Sequence, residues 1–229
     1  MGKIIDCSYN TNRRVVVRWT VAIVLVLCLF TFKPVIIEKW ETVILSKKIT
    51  YDTLTDSRDG QKYKTIKIGK QTWMAENLNY RTDSGSWGYK NSTYNYNKDG
   101  RLYDWNTALT VCPAGWKLPD YADWYNLAAT AGGNAGRKLK SKRGWYWNDY
   151  DDVNGNGTDI YGFSAMPSGA RRDDGDFINA GYIGTWWMVT ENGGDKAYSL
   201  HIFYDRTHAE SHFFDKRYGL SVRCVADNP

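Results

Sequence analysis

The stretch Cys112-Pro113-Ala114-Gly115-Trp116-Lys117-Leu118-Pro119-Asp120 decides the fold, because it connects two segments whose apolar residues recur at helical spacing. The first segment predicts a helix that ends near Thr110, and it carries Leu102, Trp105, Ala108 and Leu109. The second predicts a helix that begins at Asp120, and it carries Trp124, Leu127 and Ala128. Pro119 favours an extended residue before it, and Asp120 is a typical N-cap. Gly132-Gly133 is expected to end the second helix.

Cys112 and Cys224 are the two cysteines that follow the apolar N-terminal part of the chain. Cys224 lies in the alternating run Leu220–Val225, which predicts a strand close to the C-terminus. A bond between the two cysteines would join the middle of the chain to its last strand, and a location outside the cytoplasm permits such a bond. Two free buried thiols are the alternative interpretation.

The positive charge of the chain is concentrated at its N-terminus. Residues 1–40 hold six Lys or Arg against two Asp or Glu, whereas the remaining residues hold 24 against 23. The balanced part lacks the basic footprint of nucleic-acid-binding proteins, so no nucleic-acid partner is expected. Nine of the 11 Trp follow residue 40, among many Gly and Asn and few Pro, which favours a loop-rich β domain.

An uncharged run, Trp19–Phe32, lies between Arg18 and Lys33. Its helix would span about 21 Å, which is short of the roughly 30 Å hydrocarbon core of a bilayer. Extending the run to residues 15–37 makes it long enough, and it then places Arg18 and Lys33 near the two ends, where they can snorkel to the headgroups. This stretch predicts a membrane-spanning helix.

The charge flanking this helix predicts its orientation, because basic residues crowd the N-terminal side. We expect a cytoplasmic segment at residues 1–14, a signal anchor in the membrane at 15–37, a stalk at 38–53 and an ectodomain at 54–229. Secretion after signal cleavage is an alternative, although Thr31–Pro34 lacks the small residues of a cleavage site. A buried helix of a soluble domain is a third interpretation.

The ectodomain sequence predicts an α+β fold. Tyr63–Ile68 and Gln71–Met74 flank Gly69-Lys70 and indicate a β-hairpin. Residues 81–100 are expected to form a surface loop, and residues 133–160 a long polar loop. Short strands are predicted in the C-terminal half, at Tyr161–Met166, Phe177–Ala180, Thr185–Val189, Ala197–Tyr204, His208–Phe214 and Leu220–Val225.

A series of segments carries a family resemblance: Asp56–Gly60, Gln71–Tyr80, Gly100–Trp105, Cys112–Pro119, Tyr161–Ala165, Gly184–Trp187, Thr190-Glu191 and Tyr218–Val225. In this order they resemble the Fibrobacter succinogenes major paralogous domain, over about residues 54–227. The resemblance implies a bacterial, extracytoplasmic domain with a C-type-lectin-like fold, in which two helices and small twisted antiparallel sheets carry long loops. It implies no established activity.

The same fold is shared with formylglycine-generating enzymes and with the variable proteins of diversity-generating retroelements. Formylglycine-generating enzymes use a pair of active-site cysteines, so the resemblance raises catalysis by Cys112 and Cys224 as an alternative. One of these cysteines precedes a proline in a helix connector and the other lies in an alternating strand. These positions favour a structural disulfide, and we expect no catalysis.

The acidic loop at residues 149–159 is the best candidate for a metal site. Asp152-x-Asn154-x-Asn156-Gly157 reproduces the first half of a calcium loop, with Asp159 as a further oxygen ligand. Phe163 stands where such a loop needs a bidentate Glu, so a loop of Asx turns is the alternative. Calcium is the one cofactor that the sequence suggests.

The candidate ligand-binding residues are aromatic or charged and lie in the long loops and last strands: Trp145, Trp147, Arg171, Arg172, Trp187, His208, Glu210 and His212. His208, Glu210 and His212 alternate, so a strand would place them on one face. Zinc binding is one interpretation, but a spacing of nearly 7 Å along the strand favours an exposed polar face.

These observations predict a membrane-anchored binding module of the bacterial cell envelope. Its ligand is expected to be a protein or a polysaccharide, held on the loops 133–160 and 168–195 and on the last strands, because long aromatic and polar loops on a rigid scaffold are typical of binding sites. A structural or assembly component of the cell surface is the alternative, followed by an enzyme related to formylglycine-generating enzymes.

Overall fold

The computed structural model of the chain describes residues 48–92, 99–148, 150 and 153–227. The cytoplasmic segment predicted at 1–14, the anchor at 15–37 and most of the stalk at 38–53 lie outside these residues. Within the described part of the chain, no helix combines the length and the apolar character needed to span a membrane.

Short strands dominate the secondary structure. In chain order they are β1 Asp52–Thr55, β2 Lys62–Ile68, β3 Gln71–Met74, β4 Ser86–Trp87, β5 Leu102–Tyr103, β6 Trp116–Lys117, β7 Trp147–Asn148, β8 Val153–Asn154, β9 Ala170–Arg171, β10 Phe177–Ile178, β11 Ile183–Glu191, β12 Lys196–Phe203, β13 Ala209–Asp215, β14 Leu220–Ser221 and β15 Val225–Ala226. The helices are α1 Trp105–Ala108, α2 Tyr121–Ala131 and α3 Ala135–Leu139, and Tyr89–Asn91 forms a 3₁₀ turn. This mixture confirms the α+β class.

Two sheets organise the domain. One has the strand order β1-β2-β3-β15-β6, and the other has the order β13-β12-β11-β14-β5-β4. The predicted hairpin is confirmed as β2 and β3, with Ile66 opposite Trp73. Strand β1 pairs with β2 and Tyr51 packs on the core, so the compact unit begins at Ile49 rather than at residue 54.

The helix predicted at Asp120 is confirmed. The Asp120 carboxylate accepts from the Asp123 backbone N–H, and the Asp123 carboxylate accepts from the Asp120 N–H, which forms a capping box. Gly132 ends α2 with a positive φ of 67°.

The helix predicted from Leu102 to Thr110 was wrong in its first half. Leu102 and Tyr103 pair with β14 as strand β5, and a single helical turn follows from Trp105. The physical reason is Asp104, whose side chain accepts from the Thr107 backbone N–H and so starts the helix there.

Three other predictions need correction. The loop predicted at 133–160 contains α3 and the two-stranded ribbon of β7 and β8, and the loop at 81–100 contains β4. No strand forms over Tyr161–Met166, where Ala165 makes one isolated bridge to Lys140. The strand predicted at Leu220–Val225 is divided between the two sheets, because β14 pairs with β11 and β5 while β15 pairs with β3 and β6.

The core consists of two clusters that meet at strand β11. Trp186 and Trp187 are both fully buried but belong to different clusters, since neighbouring residues of a strand point to opposite faces. The predicted bond between Cys112 and Cys224 is confirmed, with an S–S distance of 2.07 Å. It connects the segment before β6 to the segment before β15.

Candidate functional site

The loop formed by residues 141–147 borders two adjoining clefts and contributes Tyr146 to a group of three tyrosines. We name the first the Asp159 cleft, which has a volume of about 360 Å³. We name the second the Gly144 cleft, which has a volume of about 290 Å³. Asp99 and Met166 line both clefts, so the two adjoin, and we refer to them together as the groove. Volumes of this size lie at the lower end of the range of small-ligand sites.

One wall of the Asp159 cleft comes from the first sheet and the other from two loops. Strand β2 and the segment 75–79 after β3 form the first wall, and the loops 141–143 and 159–166 form the second. Polar side chains predominate on these walls: Tyr51, Gln61, Lys62, Lys64, Glu76, Asn77, Asn79, Asp99, Ser141, Lys142, Arg143, Asp159 and Ser164. The cleft therefore suits a hydrophilic ligand.

Asp159 is a buried carboxylate in the second wall, 8% exposed. Its two oxygens accept hydrogen bonds from Ser164, one from the backbone N–H at 2.8 Å and one from the hydroxyl at 2.6 Å. Burial raises the pKa of Asp159, because desolvation disfavours the charged form. Asp159 thus fixes the loop that carries Ser164.

Asn77 holds the cleft against the core. Its Oδ1 accepts from the Trp186 indole N–H at 2.8 Å and from the Arg223 guanidinium at 2.7 Å. Its Nδ2 donates to the Asp99 carbonyl and to the Ser168 hydroxyl, both at 2.9 Å. One amide therefore connects the cleft wall to β11 and to the segment between β14 and β15.

The tyrosine cluster consists of Tyr146, Tyr182 and Tyr204, at the far end of the loop. The rings of Tyr146 and Tyr182 stack at 4.5 Å, and Tyr204 meets each of them edge-on at 5.4 Å. Tyr182 is 41% exposed, and desolvation by its neighbours raises its pKa. Gly181, beside Tyr182, also lines the Gly144 cleft, which places the cluster at the end of the groove.

Backbone contacts hold the three tyrosines in place. The Tyr146 N–H donates to the Gly181 carbonyl at 2.7 Å, and the Tyr204 N–H donates to the Tyr182 carbonyl at 2.8 Å. The buried Lys140 ammonium donates to three carbonyls around Tyr204, at 2.8–3.2 Å, and burial lowers its pKa to about 8. These bonds pre-organise an aromatic surface.

The predicted tryptophans separate into buried and exposed residues. Trp145 and Trp187 are 4% and 0% exposed, and their indole N–H groups donate to buried oxygens of Ser141, Ala165 and Tyr103. Burial therefore takes both out of the predicted ligand surface. Trp147 directly follows Tyr146 in the chain as the first residue of β7, and it is 61% exposed, so its ring is accessible.

The two predicted arginines make contacts within the protein. The Arg171 guanidinium lies 4.2 Å from the centre of the Trp87 ring and 6.0 Å from that of Phe177. Arg172 forms an ion pair with Asp176 at 2.9 Å. Neither arginine lines either cleft of the groove.

The predicted His208, Glu210 and His212 do come together, with His208 directly before strand β13 and the other two on it. The Glu210 carboxylate lies 2.7 Å from His208 Nε2 and 3.2 Å from His212 Nε2, and Arg206 donates a hydrogen bond to it. The Arg206 hydrogen bond lowers the pKa of Glu210 to about 2, with smaller contributions from the two histidines. Among the residues that the structure describes, no three His, Cys, Asp or Glu side chains form a metal-binding group.

Two of the predicted calcium ligands, Asn154 and Asn156, accept hydrogen bonds from backbone N–H groups. The Asn154 Oδ1 accepts from the Asn156 N–H at 3.0 Å, and the Asn156 Oδ1 accepts from the Trp145 N–H at 3.2 Å. The first of these bonds is that of an Asx turn, and the second joins the loop to the segment before β7. Asp152 lies outside the described residues, so calcium binding by this loop stays a prediction.

Sequence reasoning missed Tyr51, Tyr182 and Tyr204. The chain has 17 tyrosines, and their number hides which of them meet in space. One signal was available for Tyr182, because it follows a glycine in a turn between strands, where a large aromatic residue has no strand face to cover.

A family model described as the Fibrobacter succinogenes major domain matches residues 66–226. The match includes the three helices, the tyrosine cluster and most of the groove. No curated protein and no solved structure matches the chain.

Proposed function

Because this chain belongs to the Fibrobacter succinogenes major domain family, we propose that it is a non-catalytic binding module with a C-type-lectin-like fold. Its ligand is an extended polysaccharide, which lies along the groove from the Asp159 cleft through the Gly144 cleft to the tyrosine cluster. The observation that carries the proposal is that a polar-lined cleft adjoins a second cleft lined by Gly181, whose chain neighbour Tyr182 exposes an aromatic ring.

The two ends suit the two surfaces of a sugar ring. The faces of a sugar carry C–H groups that pack on the rings of Tyr182 and Trp147, whereas its hydroxyls exchange hydrogen bonds with amides, hydroxyls and carboxylates. Pockets with apolar rings and a few placed polar groups are the usual form of ligand sites. Because the two clefts adjoin, they are proposed to hold successive sugars of one polymer.

The proposal places the domain outside the cytoplasm. Disulfides persist in oxidising compartments, and the bond between Cys112 and Cys224 supports such a location. Residues 15–37 provide the membrane anchor, with secretion after signal cleavage as the alternative. No enzymatic role is assigned, because a catalytic cysteine needs a free thiolate and these two sulfurs are bonded to each other.

Substitution of Tyr182 tests the proposal. We expect the full-length chain in detergent micelles to bind members of a panel of cell-wall and envelope polysaccharides in biolayer interferometry. Tyr182→Ala removes an accessible ring of the cluster and should weaken binding about tenfold or more, as expected for a central aromatic contact. Tyr125→Ala is the matched control, because Tyr125 is 66% exposed on α2 and lines neither cleft.

Two outcomes would contradict the proposal. One is a folded protein that binds no polysaccharide, and the other is equal binding by the Tyr182→Ala and Tyr125→Ala variants. Self-association in sedimentation velocity together with the first outcome would favour the assembly role instead.

A further inference from the structure

Four basic side chains stand around the Asp159 cleft. Lys62 and Lys64 flank the buried Tyr63 on β2, so the alternation of the strand directs both to the same face. Lys142 and Arg143 belong to the loop that forms the opposite wall. All four are exposed, so two elements bring positive charge to the mouth of one cleft.

These four charges lack counter-ions among the described residues, where none of them lies within ion-pairing distance of a carboxylate. Three carboxylates also line the cleft, those of Glu76, Asp99 and Asp159. Glu76 accepts a hydrogen bond from the Lys64 backbone N–H at 2.7 Å, and both oxygens of Asp159 accept from Ser164. The four basic side chains outnumber the three carboxylates, and burial raises the pKa of Asp159, so the cleft keeps a net positive charge.

We propose that the Asp159 cleft binds a uronate, a sugar that carries a carboxylate, within an acidic polysaccharide. The inference rests on the proposed function and adds the class of polysaccharide. The carboxylate is held at the mouth by Lys142 and Arg143 on one side and by Lys62 and Lys64 on the other. Arg143 offers the planar fork that pairs with both oxygens of a carboxylate.

The floor of the cleft supplies the remaining contacts to the same sugar. Tyr51 and the amide pair of Gln61 and Asn79 line the cleft, and Asn79 Nδ2 donates to Gln61 Oε1 at 3.1 Å. The buried Asn79 Oδ1 has no hydrogen-bond partner among the described residues, so it is placed to accept from a ring hydroxyl. The cleft volume of about 360 Å³ is adequate for a single ring and its substituents. The neighbouring sugars continue through the Gly144 cleft toward Tyr182.

The test compares polymers that differ only in their carboxylates. The probes are polygalacturonate, alginate and hyaluronan, each beside its own methyl ester, with dextran sulfate and dextran as a generic anionic pair. The full-length chain in micelles is measured at low and at physiological salt. At least one uronate polymer should bind about tenfold or more tightly than its ester, and salt should reduce that difference.

Removing the two charges of the loop 141–143 tests whether these side chains hold the carboxylate. The double substitution Lys142→Gln/Arg143→Gln should bring the acid and its ester to within about twofold of each other, because their difference comes from those charges. Lys67→Gln/Arg81→Gln is the matched control, since these exposed basic residues line neither cleft, and it should keep the preference. Tyr182→Ala should weaken the binding of the acid polymer and of its ester by the same factor.

Several results would overturn the inference while leaving the proposed function intact. These are equal binding of each acid and its ester, a preference that survives the double substitution, and dextran sulfate binding as tight as that of every uronate polymer. If no polymer of either kind binds, the proposed function itself fails.

Discussion

Arg223 is fully buried, and no described carboxylate lies close enough to form an ion pair with it. Its guanidinium donates to the carbonyls of Phe163 and Ser164 and to Asn77 Oδ1, and it lies 4.4 Å from the centre of the Phe163 ring. Burial lowers the pKa of Arg223 to about 9, which is still above neutral pH, so the guanidinium stays charged. The charge is thus stabilised by oriented dipoles, and it ties the loop that carries Ser164 to the last strands.

His201 shows the opposite response to burial. It lies on β12 with its ring stacked on Phe214 at 5.2 Å, and its Nε2 is 3.0 Å from the Ser199 hydroxyl. Desolvation, and secondarily the nearby His212, lowers its pKa to about 3, while Glu210 acts weakly in the other direction. His201 is therefore neutral in the folded protein at pH 5, whereas the unfolded chain would protonate it.

This difference predicts acid sensitivity. The folded state binds fewer protons at His201 than the unfolded state. The contribution of His201 to the free energy of unfolding is therefore fully present above pH 6.5, and it is lost as the pH falls from 6.5 toward 3. Between pH 7 and 5 we expect His201 to reduce the free energy of unfolding by about 2 kcal/mol, at 1.4 kcal/mol per pKa unit. His201→Phe keeps a ring against Phe214 and should remove this loss in denaturant titrations.

The unchanged protein, measured over the same pH interval, is the reference for the acid experiment. The interval above pH 5 is chosen because the acidic residues with lowered pKa values, Asp56, Glu210 and Asp215, lose their contribution only at lower pH. A His201→Phe protein that loses stability between pH 7 and 5 as steeply as the unchanged protein would contradict the assignment.

At the scale of elements, the ribbon of β7 and β8 positions the tyrosine cluster. Gly155 follows β8, and its N–H donates to the Tyr146 carbonyl at 3.0 Å. A Cβ at this position would lie 2.5 Å from that carbonyl oxygen and 3.0 Å from the Tyr204 Cβ. The close approach of the two backbones therefore requires glycine, and it brings Tyr146 against Tyr204.

Gly155→Ala is expected to separate these two tyrosines. The ribbon must shift to admit the methyl group, which should cost about 1–3 kcal/mol of unfolding free energy. Polysaccharide binding should weaken as well, and the pH at which the Tyr182 phenol ionises should fall toward its ordinary value as the ring loses its neighbours. The readouts are denaturant unfolding, biolayer interferometry and the ultraviolet titration of tyrosine.

Gly133→Ala provides the comparison, since a Cβ at Gly133 would meet nothing within 4 Å. It should change neither stability nor binding measurably. Equal behaviour of the two glycine variants would mean that the ribbon does not position the cluster.

The elements that sequence reasoning predicted are those with local causes. The β2–β3 hairpin follows from alternation around a glycine turn, and α2 follows from its capping box and its terminal glycine. Strand β5 was mistaken for helix because the spacing of Leu102 and Trp105 suits a helix, whereas pairing with β14 decides the outcome. That pairing joins residues more than 100 positions apart, and no local pattern reports it.

The candidate site divides in the same way. The loop after residue 140 was predicted to carry the ligand, and it does border the groove. The sequence could not show that Trp145 faces the core while Tyr146 meets Tyr182 and Tyr204, because these residues come from three separate segments. The Asp159 cleft likewise needs β2 and a distant loop to meet.

At the scale of the whole molecule, Cys224 lies where the chain passes from one sheet to the other. Strand β14 lies in one sheet, β15 lies in the other, and the Cys224 carbonyl between them accepts from the Met74 N–H at 3.1 Å. The disulfide adds Cys112, whose segment leads into β6 at the edge of the first sheet. The last strands are thus fixed both by pairing and by a covalent bond.

The last prediction concerns this bond. It closes a loop with a sequence separation of 112, so the chain-entropy account gives about 4–5 kcal/mol of stabilisation, chiefly through the unfolded state. Cys112→Ala/Cys224→Ala should lose about that amount in denaturant unfolding, and reduction of the unchanged protein should lose nearly as much. The variant itself should be insensitive to reductant. Because the contacts of the groove do not include either sulfur, polysaccharide affinity should be kept wherever the variant is still folded. A variant that unfolds at the same denaturant concentration as the oxidised protein would show that strand pairing alone holds the two sheets together.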